Sequence, residues 1–250
     1  MNINRRSFFS GLATSITMMG CDCVLWRGER PLLRLGVISD IHITTPAPES
    51  TDKFRTALWA FRMFGADAVL IAGDLADWGL KSNLKIVKAV WDEVFGGTGV
   101  VPLMITGNHD FDGWWYGDMT LDMHMQGYSE DEALKMLGMK ACWEEIFHEP
   151  FADIRKRTVK GFDFVSVEWL VDGKERNDAL VAQWLRDHAD ELKGDRPFFF
   201  FRHSPIPNTV SSSAKDPENA LYRALQVFPN CVAFNGHTHR TFFDSASSSE

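Results

Sequence analysis

Val101-Pro102-Leu103-Met104-Ile105-Thr106-Gly107-Asn108-His109-Asp110 is an apolar run of strand character that ends abruptly in a polar cluster. The same transition recurs along the chain: residues 35–39 lead into Asp40-Ile41-His42, 68–72 into Gly73-Asp74, 198–202 into His203, and 231–235 into Gly236-His237-Thr238-His239. Polar clusters behind strand-like runs sit at the carboxyl ends of strands, where α/β sheets carry their ligand sites. Carboxylates and neutral imidazoles suit divalent Mn, Fe, Zn or Co, and an amide oxygen adds a neutral donor. Two such ions ~3.5–4 Å apart can clamp a phosphoryl group and activate a water. A carboxylate can bridge the pair, so the clusters read together as a two-metal hydrolytic site.

Taken singly, each position has a blander explanation. An Asp after a strand is often a helix N-cap or a turn residue, which would account for Asp40, Asp74, Asp77 or Asp110 alone. A lone His203 would be an ordinary core or surface histidine. His237 and His239 are two apart and share one face of a strand, yet in a loop after Gly236 both can turn inward. The ordered co-occurrence decides between these readings. His124 and His148 fit no cluster, and His188 lies late in a helical stretch, away from the strand ends.

The pattern D-x-H, G-D, G-N-H-[DE], H, G-H-x-H resembles the calcineurin-like metallophosphoesterase superfamily and spans roughly residues 33–240. The resemblance implies two divalent metal ions (Mn, Fe, Zn or Co). The first would be held by Asp40, His42 and His239, the second by Asn108, His203 and His237, with Asp74 bridging. It implies that a metal-bridging hydroxide attacks phosphorus, that His109 protonates the leaving oxygen, and that Asp110 orients His109. The implied fold is α/β, two packed mixed β-sheets flanked by helices in a four-layer sandwich. Relatives usually continue with further strands after the last histidine, whereas eleven residues follow His239, so the expectation is either a compact member or an incomplete C-terminal sheet edge. The stretch Gly73-Asp74-Leu75-Ala76-Asp77 is similar to that of the phosphodiesterase branch, including class III cyclic nucleotide phosphodiesterases. No Tyr follows Asp74 at the spacing by which purple acid phosphatases ligate ferric iron. A small-molecule phosphodiester is therefore favoured over a monoester. The alternative from another class is a non-catalytic scaffold on the same fold, against which stands the retention of every ligand and of His109.

The chain has 250 residues, 45% hydrophobic and 24% charged, enough for one sizeable α/β domain. A net charge of −8 argues against an extended nucleic-acid surface, and no interleaved basic and aromatic stripe is visible. Residues 1–30 read as a leader and linker, and 31–250 as the catalytic domain. Asn4-Arg5-Arg6-Ser7-Phe8-Phe9 resembles a twin-arginine export signal followed by a short apolar stretch. Met18-Met19-Gly20-Cys21 approximates a bacterial lipobox, so lipid anchoring at Cys21 is considered beside periplasmic release, with a cytoplasmic protein as the alternative. Cys142 and Cys231 read as packed thiols rather than a disulfide.

Helical spacing is expected over residues 50–64, 80–95, 177–192 and 217–228, alternating with the strands. Residues 111–148 are the expected place for substrate selection, because Trp114, Trp115 and Tyr116 closely follow His109 and offer flat faces to a base or aromatic group. Residues 205–216 read as a surface excursion near the site.

Overall fold

The computed structural model describes residues 32–45, 47–77, 79–112, 132–169, 174–210 and 213–239. The leader, Cys21, Cys23, His124, the Trp114–Tyr116 aromatics and residues 240–250 lie outside them, and with the last of these the expectation about the sheet edge.

The strands are β1 (Leu35–Ile38), β2 (Ala68–Ala72), β3 (Val101–Ile105), β4 (Ile154–Val159), β5 (Phe162–Val167), β6 (Phe198–Arg202) and β7 (Cys231–Phe234). The helices are α1 (Pro48–Met63), α2 (Lys81–Phe95), α3 (His109–Asp112), α4 (Glu132–Phe147), α5 (Lys174–Asp187), α6 (Ala189–Leu192) and α7 (Ala220–Gln226). Among the described residues one sheet has the order β1-β2-β3 and the other β4-β5-β6-β7. Only the second is mixed, with β4 antiparallel to β5 and the remaining pairs parallel. The expected α/β architecture of two packed sheets flanked by helices is found, and among the described residues the first sheet is parallel throughout. Its strands are joined by βαβ crossovers through α1 and α2, and such crossovers return the chain in the same direction.

Alternation along the strands builds the layers. In β2, Val69 and Ile71 point into the core shared with α1, α2 and α4, while Ala68, Leu70 and Ala72 point into the core between the sheets. In β6, Phe198 and Phe200 face α5 and α7, whereas Phe199 and Phe201 face the other sheet. A strand buried on both faces reads as an unbroken apolar run, which is why these strands were legible. The result is helices, sheet, sheet, helices.

The β4–β5 hairpin was not anticipated from the sequence. Its first strand carries Arg155 and Arg157, which look like surface residues. They instead serve the outer edge of β3: Arg155 Nη2 donates to the Met104 carbonyl (2.7 Å) and Arg157 Nη1 to the Pro102 carbonyl (2.9 Å). Pro102, lacking an N–H, fits such an edge, and the arginines satisfy carbonyls that would otherwise invite another strand. Arg155 also pairs with Glu168, which accepts from the Thr106 N–H (2.7 Å) and hydroxyl (2.8 Å). Burial pushes the Glu168 carboxyl up, opposed by Arg155 and by these Thr106 donors. The network ties the end of β5 to the turn that carries Asn108 and His109.

The third expected helix is interrupted. His188 stacks on Trp184 with centroids 3.9 Å apart, and its Nδ1–H donates to the Trp184 carbonyl (2.8 Å), so α5 ends at Asp187 and α6 restarts at Ala189. This is a packing role, as expected for a histidine away from the strand ends. The last helix begins later than expected, at Ala220, capped by the Asn219 side chain accepting from the Tyr222 N–H. Cys142 is buried and Cys231 half-buried, and they are not joined in a disulfide. Among the described residues no helix is long and apolar enough to cross a membrane.

Candidate functional site

The loops after β1, β2, β3, β6 and β7 converge at one end of the sandwich. Asp40, His42, Asp74 and His239 form one group of donor atoms, and Asp74, His203 and His237 a second; within each group the atoms all lie within 4.8 Å of one another. The Asn108 amide oxygen joins the second group, 3.1 Å from His203 Nε2 and 2.9 Å from His237 Nδ1. Asp74 thus belongs to both. The structure brings together all of the side chains that the sequence pattern singled out as metal ligands.

The backbone supports a functional reading. Of the eight non-glycine residues with positive φ among those described, five are Asp40, His42, Asp74, His237 and His239. The left-handed region is disfavoured for residues bearing a Cβ. Such strain persists where the surroundings fix it and gathers at functional sites. Here it sets the directions in which these five side chains leave their loops. The loops also approach closely: a Cβ on Gly107 would come within 2.2 Å of Asp74 Oδ1, and one on Gly236 within 2.5 Å of Asp40 Oδ2.

The imidazoles of His203 and His42 are each oriented by a second partner. His203 Nδ1–H donates to the Ala72 carbonyl (2.9 Å), which leaves Nε2 facing Asp74 Oδ2 (3.1 Å) and His237 Nδ1 (3.2 Å). His42 Nδ1–H donates to Asp77 Oδ1 (3.0 Å), leaving Nε2 3.1 Å from His239 Nε2. His239 Nε2 in turn lies 3.2 Å from Asp40 Oδ1. Facing lone pairs at this spacing are what a cation would satisfy, and orientation of a ligating imidazole through its other nitrogen is usual for metal sites. The donor set therefore fits two divalent ions.

Burial depresses the His203 pKa, but the hydrogen bond and charge of Asp74, aided by Asp40 and the Ala72 carbonyl, outweigh it and the net shift is upward. For Asp74, burial pushes the carboxyl up, while the hydrogen bond and charge of His203 and the His109 N–H hold it below the usual range. A bound cation would compete with protons for the same imidazole nitrogen, since a ligating imidazole must be neutral. Behind His203, the buried pair Arg202–Asp178 fixes the end of β6, and Asn219 Nδ2 donates to the other Asp178 oxygen (2.7 Å).

Asp110, expected to orient His109, has backbone donors as its described partners. Its buried carboxylate accepts from the N–H groups of Leu75 (3.1 Å), Ala76 (2.8 Å) and Gly107 (2.8 Å), bracing the β2 loop against the β3 loop. Burial, then the charge of Asp74, pushes its pKa up to about 7 against those donors. The acid beside His109 is Asp77, whose Oδ1 lies 3.4 Å from His109 Nδ1. One oxygen of Asp77 therefore serves both His42 and His109. The sequence signal was present, three residues after Asp74, but turn chemistry explained it equally well.

Two expected outcomes follow from these placements. Asp110→Ala strands buried N–H donors and is expected to cost about 3 kcal/mol, seen as a drop of about 6–12 °C in Tm, with Asp110→Asn milder because one acceptor remains. Asp77→Asn keeps an acceptor for His42 but removes the charge shared with His109. Turnover is expected to fall about 10–100-fold while the number of metals bound per chain, measured by elemental analysis, is unchanged.

Trp169, which follows β5, was also missed. Its ring centroid lies 5.9 Å from that of His203 and 6.0 Å from that of His237, forming an aromatic wall on the Asn108 side. The 205–216 excursion is closed by its own bonds, Asn208 N–H to the Ala214 carbonyl and Asp216 N–H to Asn208 Oδ1, both 2.9 Å. His148 is exposed and outside every donor group.

This sandwich, with paired Asp/His donor groups at its strand ends, defines a metal-dependent hydrolase. The chain belongs to the calcineurin-like phosphoesterase family, whose profile matches residues 33–241. Among solved structures it is similar to a dimetal phosphatase from Danio rerio, at 14% identity and a TM-score of 0.53, covering 83% of this chain and 81% of that one. It is also similar to a purple acid phosphatase from yellow lupin seeds, at 15% identity and a TM-score of 0.45, covering 82% of this chain and 37% of that one. No curated protein sequence matches it. The first likeness shows the shared fold.

Proposed function

We propose that the protein is a two-metal phosphoesterase that hydrolyses small phosphodiesters in preference to monoesters. The observation that carries this reading is the position of Asp74 in both donor groups. Asp40, His42 and His239 would hold one ion and Asn108, His203 and His237 the other, with Asp74 shared. When bound, divalent ions supply Lewis acidity toward the phosphoryl oxygens and a water acidified enough to react near neutral pH.

The chain's own residues do the rest. His42 and His203 are held with Nε2 toward the donor groups by Asp77 and by the Ala72 carbonyl. His109 belongs to neither of the two principal groups. Its ring meets that of His42 edge-on at 4.8 Å, its Nδ1 lies beside Asp77, and its Nε2 is assigned the protonation of the departing ester oxygen. Preference for a diester rests on the similarity of residues 73–77 to the phosphodiesterase branch. Export through a leader at residues 1–30 rests on Asn4–Phe9 alone.

The test is metal content together with hydrolysis of bis-p-nitrophenyl phosphate and p-nitrophenyl phosphate by protein reconstituted with Mn²⁺. About two metals per chain and faster diester turnover, lost on chelation and restored by metal, is the expected result. Faster monoester turnover would reverse the substrate preference, and full occupancy without turnover of either ester would favour the scaffold.

A further inference from the structure

Beside Asp40 and His42 a cleft of about 280 Å³ opens between the loop after β1 and the first half of α1. Ile38 and Ile41 form one wall, Phe54 and Ala57 the other, with Glu49 and Lys53 among the lining residues. On α1, residues 49, 50, 53, 54 and 57 share one face by helical spacing, so Lys53 belongs to the cleft side. Its charge is uncommitted: Arg55 pairs with Asp52 and Glu93, whereas Lys53 has no ion pair among the described residues, not even with Glu49 one turn earlier. The end of α1 nearest the cleft is its amino end, where Ala47 provides no side-chain cap. The helix dipole there favours negative charge, which Glu49 in the first turn supplies in part.

We propose that this cleft takes the organic arm of the phosphate ester, and that Lys53 receives an anionic group at the far end of that arm. The proposal rests on the phosphoesterase reading for the location of the phosphoryl group next to Asp40 and His42, and adds what the remainder of the substrate is. The volume lies at the lower end of the ~300–1,000 Å³ of ordinary ligand pockets, so the arm is short. Its middle is apolar, to lie between Ile41 and Phe54, and its end is negative. Lys53 is exposed, so its replacement does not disturb the core.

The experiment uses phosphonic acids, whose carbon–phosphorus bond is not an ester, so the readout is binding and needs no turnover. Butylphosphonic acid and 4-carboxybutylphosphonic acid are titrated calorimetrically into the Mn²⁺-loaded protein and its Lys53→Met variant. The carboxylate compound is expected to bind the unmodified protein about tenfold more tightly than the butyl compound, the size of one charge-assisted hydrogen bond. Lys53→Met is expected to remove that advantage and leave butylphosphonate affinity unchanged. Lys53→Glu is expected to shift the preference to 4-aminobutylphosphonic acid. Equal affinity for the butyl and carboxybutyl compounds in the unmodified protein, equal weakening of both by Lys53→Met, or no binding of either would overturn the proposal. Lys53-dependent binding without hydrolysis of any ester would sink the phosphoesterase reading while leaving the cleft assignment standing.

Discussion

Asp74→Ala is expected to reduce phosphoester turnover on the order of 10³-fold or more and to lower metal content below one per chain. The reason is its shared position. Any other candidate ligand belongs to one donor group, so its loss leaves the second group intact, whereas Asp74 faces His203 Nε2 at 3.1 Å and His42 Nε2 at 3.8 Å. Without its carboxylate the two donor groups would lose the one anionic side chain they share. The same side chain also accepts the His109 N–H (2.9 Å), so its removal frees the start of α3 as well. Loss of a buried, charge-assisted acceptor costs about 1–3 kcal/mol. The variant should therefore melt somewhat lower than the metal-free parent while remaining folded. Elemental analysis, turnover and circular-dichroism melting on the same sample separate the two effects. Retained metal at two per chain with unchanged turnover would refute the shared role.

The part of this site that was legible in sequence is the part written in contiguous residues. Asp40-Ile41-His42, Gly73-Asp74, Gly107-Asn108-His109 and Gly236-His237-Thr238-His239 each follow a strand whose apolar run predicted it, and those strands are found within a residue of the expected bounds. Their register positions the loops, and the loops position the ligands. What was not legible depends on tertiary neighbours. Asp110 and Asp77 are both carboxylates one to three residues from a candidate ligand, and only packing decides that Asp110 turns down to three backbone N–H groups while Asp77 turns up to two imidazoles. Likewise Arg155 and Arg157 break the apolar alternation expected of a strand, because their partners, the carbonyls of β3, are about fifty residues away in sequence. Trp169 gave no signal, since a single aromatic after a strand is ordinary core.

The left-handed backbone of the ligand loops ties each short motif to a particular local geometry. An Asp or His at positive φ accepts a local penalty, and Gly73 beside Asp74 lies at φ 87°, a conformation that a residue with a Cβ rarely adopts. A Cβ at Gly73 would also meet His203 Nδ1 at 2.5 Å. The glycines of these strings thus supply turn geometry and clearance for ligands from other loops, which couples the motifs to one another through space. This is a physical reason for the whole set to occur together and in order.

His109→Ala is expected to keep both metals and yet to discriminate sharply between substrates. His109 lies outside the two principal donor groups, its side chain is 40% exposed, and its Nδ1 is turned toward Asp77. The opposite nitrogen, Nε2, is the one assigned to the substrate in the proposed mechanism. When the ester bond to phosphorus breaks, the electron pair goes to the departing oxygen. A nitrophenolate is stable enough to leave unprotonated, whereas an alkoxide is strongly basic and needs the proton that His109 would deliver. Proton transfer by a positioned side chain contributes about 10²–10⁴-fold. The variant is accordingly expected to lose about that much on alkyl diesters and only a few-fold on bis-p-nitrophenyl phosphate. Measuring kcat for both ester types, with metal content on the same preparations, checks it. An equal loss on both would remove the acid role and point to a substrate-binding one. A large loss confined to the alkyl ester, with a lesser parallel loss in Asp77→Asn, would place the proton on His109 and its support on Asp77.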